Sequence, residues 1–70
     1  MTQTKTLTLH QRSINWLVQY ILQSPNQELN YRHVMKVLSS QKEYFVRCYF
    51  LDNKYMYGSF VKEAQSEAAK

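Results

Sequence analysis

Seventy residues with nine Lys and Arg against five Asp and Glu, a net charge of +4, make one small domain, residues 1–70, whose ends at 1–3 and 65–70 are expected to fray. A core of this size supplies only about 3–5 kcal/mol of net stability, so association to a homodimer is an expected aid. One cysteine excludes an intramolecular disulfide, one glycine excludes a phosphate-cradling loop, and no apolar run approaches the roughly 20 residues of a membrane span.

Residues 1–7 lack the apolar centre of a secretion signal, so a reducing cytoplasm, without membrane contact, is the expected compartment. Residues 4–9 alternate polar and apolar from Thr6 onward and are rich in threonine, which predicts a short edge strand. The period then changes. Ile14, Leu17, Val18, Ile21 and Leu22 follow helical spacing and predict an amphipathic helix over 11–23, which Ser24 and Pro25 end because proline disfavours helical torsions in the residue before it.

Asn30 suits the cap of a second helix, with Tyr31, Val34, Met35 and Leu38 as its apolar stripe and Arg32, Lys36 and Ser40 on the other side. Residues 42–51 allow two readings. Continued helix would extend the stripe through Phe45 and Tyr49 but place Lys42 upon it. A strand uses the preference of Tyr, Phe and Val for a pleated surface and ends at Asp52 and Asn53, both suited to a turn. The strand is preferred, and it predicts an aromatic β-hairpin over 44–61, with Gly58 marking a bulge. The expected fold is therefore α+β: strand, helix, helix, then hairpin. The tail from Ala64 suits a helical turn or two, or fraying.

The positive excess is concentrated between residues 31 and 54, where Arg32, Lys36, Lys42, Arg47 and Lys54 face only Glu43 and Asp52. Such a balance favours an acidic partner, nucleic acid above all, with Arg32, Lys36, Arg47 and Lys54 as candidate phosphate contacts; a merely solvated basic surface is the competing reading. Tyr49, Tyr55, Tyr57 and Phe60 are placed to stack on unpaired bases, or else to form the hairpin's own small core. In element order the chain resembles in part a ribbon-helix-helix module, over its first forty residues, and a winged-helix module, with the hairpin as wing, on fold analogy alone.

Trp16 and Tyr20 lie four apart, away from the first helix's stripe. They read either as a wider buried face or as a partner or self-association surface. No enzyme is expected: His33 and Cys48 offer a base and a nucleophile without an acidic residue placed to orient them, and with His10 they lack the paired spacing of a zinc site. No metal or other cofactor is implied. The composite expectation is a small basic regulatory protein binding DNA or RNA through a basic helix face and the hairpin. The alternative is a protein-interaction module, an accessory or inhibitory subunit that docks on a larger protein through exposed aromatics.

Overall fold

Thr8 opens the first helix of the computed structural model, which describes residues 8–24 and 29–70. Its Oγ1 accepts the Gln11 N–H at 3.0 Å, satisfying one of the amides that a first turn leaves unpaired. The helix, α1, runs Leu9–Gln23 and buries Ile14 and Leu17 completely, with Val18 and Ile21 packed at the margin of the core and Leu22 exposed. The strand expected over 4–9 is corrected at its described end: Thr8 is a cap and Leu9 is helical, while residues 4–7 lie outside the described residues.

Asn30 caps the second helix, α2 (Tyr31–Ser40), its side-chain oxygen accepting from the N–H groups of Arg32 and His33 at 2.9 and 3.3 Å. Val34, Met35 and Leu38 are buried, as their spacing requires. The helix ends at a left-handed residue: Lys42 has φ of 60°, its N–H donates to the Ser39 carbonyl at 3.1 Å, and the Glu43 N–H donates to the Leu38 carbonyl at 2.9 Å. These two bonds make a Schellman motif, the usual glycine being replaced by lysine.

Beyond that turn the expected hairpin is overturned. Residues 44–61 form α3 (Tyr44–Asp52), a single 3-10 turn (Lys54–Met56) and the start of α4 (Tyr57–Ala68). Every element among the described residues is helical, so the α+β assignment gives way to an all-α one. Asp52 and Asn53 do mark a break, but between helices: the Asn53 side-chain amide donates to the Tyr49 carbonyl at 2.9 Å and closes α3. Gly58 lies inside α4 with open space where a Cβ would stand, so it marks no bulge.

The aromatic residues that suggested a pleated surface pack as a helical core instead. Phe50 is fully buried and meets Tyr57 edge-on at 5.6 Å and Phe60 at 6.0 Å. Tyr57, Phe60 and Ala64 recur at helical spacing on the buried side of α4, which packs along α1. α3 packs on both α1 and α2. No helix among the described residues is long and apolar enough to cross a membrane.

Two outcomes follow from this packing. Lys42→Gly, which removes the Cβ clash of the left-handed turn, is expected to raise stability by about 0.5–1 kcal/mol in urea titration, net of glycine's greater freedom in the unfolded chain. The Tyr57 hydroxyl donates to the Leu29 carbonyl at 2.8 Å, and burial, with the nearby Tyr20 and Tyr31 as lesser causes, pushes its ionisation above the ordinary tyrosine range. The folded chain therefore keeps a proton that the unfolded chain releases near pH ~10, and stability from this group falls as pH rises beyond that value. Tyr57→Phe is expected to abolish that alkaline loss while costing about 1 kcal/mol at neutral pH, where the Leu29 carbonyl loses its donor.

Candidate functional site

Helical spacing on α2 brings Tyr31, Arg32, Met35, Lys36 and Ser39 to one side, and the Lys42 turn sets α3 beside them. An open groove of about 410 Å³ lies between, completed by Arg47 and Leu51 of α3 and by Lys54 of the 3-10 turn. Arg32, Lys36, Arg47 and Lys54, separated by up to 22 residues in the chain, thus line one concavity. No carboxylate among the described residues shares that lining. Among the described residues the four basic ones elsewhere, Arg12, Lys42, Lys62 and Lys70, equal the four acidic ones, so the formal excess of the described residues resides at the groove.

Two side-chain polar atoms among the described residues are buried without a hydrogen-bond partner, the Tyr31 hydroxyl and Arg47 Nε, and both belong to residues of this lining. Leaving such groups unpaired costs about 1–3 kcal/mol each. The Lys54 ammonium sits 5.3 Å from the centre of the Tyr31 ring, a cation–π contact that holds its charge at the groove's edge. Met35 and Leu51 supply apolar walls, so the groove offers cations, donors and a partly dry surface together.

The other candidate residues lie elsewhere. Tyr49 does not reach the groove: its ring stacks on Phe60 at 5.5 Å and its hydroxyl hydrogen-bonds His10 Nδ1 at 2.8 Å, while His10 Nε2 contacts Glu63 at 3.2 Å. Tyr57 and Phe60 are in the core. Tyr55, which directly follows Lys54, is 84 % exposed and remains available to an incoming ring.

Trp16 and Tyr20 stack in parallel at 5.2 Å, yet their polar ends are engaged within the chain. Trp16 Nε1–H donates to Gln41 at 3.0 Å, and the Tyr20 hydroxyl shares a hydrogen bond with His33 Nε2 at 2.8 Å. Both rings therefore tie α1 to α2 and its end, and Trp16 packs against the core. Cys48 lies exposed on α3.

Sequence spacing missed Tyr31, Met35, Ser39 and Leu51 as groove residues, because their role depends on the angle between two helices. It also missed the His10, Tyr49 and Glu63 cluster, whose members lie 39 and 53 residues apart and carry no local signature. One signal was present for the first helix: threonine at Thr8 followed three residues later by Gln11 is a capping-box pattern. Comparison of the chain with protein-family models, with curated proteins and with solved structures finds no match.

Arg47→Met is expected to leave the fold intact and to raise stability by about 1 kcal/mol in the absence of any anion, because it removes an unpaired buried donor and relieves cation crowding. Thermal melting at low salt measures this. The neighbouring truncation Leu38→Ala, by contrast, is expected to cost about 2–5 kcal/mol.

Proposed function

We propose that this protein binds nucleic acid by its phosphate backbone in the groove between α2 and α3. The observation that carries the reading is the gathering of Arg32, Lys36, Arg47 and Lys54 in one concavity that no carboxylate among the described residues shares. Four cations from three elements match a ligand that presents charge repeatedly along its length, rather than a single small anion. A phosphate oxygen also accepts from guanidinium N–H donors, and Arg32 and Arg47 both line the groove. The exposed Tyr55 ring beside Lys54 is suited to stack on an unpaired base, which favours single strands over duplex.

In this reading Arg32, Lys36 and Lys54 hold the strand electrostatically, Arg47 orients one phosphate, and Tyr55 adds a sequence-tolerant contact. The small number of contacts suits a weak or regulatory binder.

Fluorescence anisotropy with labelled single-stranded DNA, single-stranded RNA and duplex of equal length tests it. Single strands are expected to bind with a slope of log affinity against log salt near about −3, the value for four neutralised phosphates. Neutralising Arg32 and Lys36 together is expected to reduce the slope by about 1.4, since each phosphate contact to a single strand contributes about 0.7. Neutralising Lys62 and Lys70, which lie outside the groove, should leave it unchanged. Absence of binding to all three probes at low salt, or equal effects of the two double variants, overturns the proposal.

A further inference from the structure

A second cavity, of about 260 Å³, lies where α1 meets the start of α3, and it shares no residue with the basic groove. Helical spacing on α1 brings Arg12, Asn15, Trp16 and Gln19 to it, and Glu43 and Val46 border it from α3. Its two charged groups are opposite in sign and unpaired. Although they border one cavity, Arg12 and Glu43 form no ion pair with each other or with any other described residue. Glu43 stands at the N-cap position of α3 without making a side-chain cap bond, so its carboxylate is not committed to the helix.

From this pairing we infer that the cavity binds a free α-amino acid as a zwitterion, its carboxylate on Arg12 and Asn15 and its ammonium between Glu43 and the indole of Trp16. Each contact follows from what the neighbouring groups leave available. The Asn15 side-chain oxygen accepts from the Gln11 amide at 3.1 Å, which leaves the Asn15 N–H groups to donate. Arg12, three residues before it on the same face, also only donates, and a carboxylate accepts from both.

Glu43 is the reverse case, an acceptor that an ammonium satisfies. Tyr20 stacks on one face of the Trp16 ring at 5.2 Å and does not border this cavity, so the indole surface that lines it is not the stacked one. The indole nitrogen donates to Gln41. What Trp16 offers the cavity is therefore π surface, which attracts a cation.

Size and charge together select the class of ligand. Cavities for drug-sized ligands measure about 300–1,000 Å³, so this one suits a molecule of few atoms. A small anion alone leaves Glu43 unpaired, and a small cation alone leaves Arg12 unpaired. An α-amino acid carries both charges on one carbon and satisfies each, with Gln19 and Val46 bordering the space left for its side chain. A polynucleotide presents no cation to Glu43, so this ligand differs in kind from the one proposed for the groove.

Trp16 is the chain's one tryptophan, so its fluorescence reports the cavity directly. The full chain is titrated, without nucleic acid, with each common L-amino acid that does not itself fluoresce, to about 10 mM, well above the roughly 1 mM dissociation constant that suits so few contacts. The result is independent of whether the groove binds a strand. A saturable change in Trp16 emission is expected with at least one amino acid. The corresponding amine and carboxylic acid, each lacking one of the two charges, are expected to bind about 10-fold or more weakly, as loss of a charged hydrogen bond implies. Arg12→Gln and, separately, Glu43→Gln are expected to weaken binding by a like factor with unchanged helical circular dichroism, since neither side chain is tied to a described residue. No emission change with any amino acid overturns the proposal. So does binding that either substitution leaves intact, or equal binding of a singly charged analogue.

Discussion

The left-handed turn at Lys42 is the constraint on which the arrangement of the helices rests. Leu38, Phe45 and Tyr49 would continue one apolar stripe if α2 ran on into α3. The two hydrogen bonds that close the end of α2, to the Ser39 and Leu38 carbonyls, instead turn the chain through a conformation that costs a non-glycine residue about 1–2 kcal/mol. That cost is met by packing: α3 gains contact with both α1 and α2, and Phe50 reaches the middle of the core. The groove follows from the same turn, because it exists only where α2 and α3 diverge.

Once α3 is folded back, aromatic rings do most of the filling. Phe50, Tyr57 and Phe60 pack edge-on or tilted in the interior, while Tyr49 stacks on Phe60 and carries its hydroxyl to His10 at the margin. The Tyr57 hydroxyl, bound to the Leu29 carbonyl, adds a directional bond to an otherwise shape-driven core. Large rings bury much area for few residues, which is how a short chain with limited aliphatic content assembles one interior from four helices.

Polar chemistry is distributed with equal economy. The rings of Trp16 and Tyr20 are turned to structural use through Gln41 and His33, and His10 joins α3 to α4 through Tyr49 and Glu63. Positive charge is left over at the α2–α3 groove, and exposed apolar area is left over on the far side of α3. α3 borders both: Arg47 and Leu51 line the groove, and Leu51 with Phe45 and Tyr44 is exposed.

Local signals in the sequence determined local structure. Apolar spacing and the Asn30 cap located α1 and α2 because i, i+3, i+4 periodicity and a side-chain oxygen at an N-terminus act within one turn. The four groove cations were legible as a basic run for the same reason. The hairpin reading over 44–61 failed because preference of Tyr, Phe and Val for strands reflects the surface they pack on, and here that surface is another helix. Tyr57, Phe60 and Ala64 carry helical spacing, a signal the hairpin reading left unused. Only the tertiary structure decided that Arg32, Lys36, Arg47 and Lys54 share a concavity, that Tyr49 leaves it for His10, and that one side of α3 stays uncovered. Each of these depends on the angle between helices, and that angle is set by how side chains distant in sequence fit together around Phe50, which no spacing along a single segment encodes.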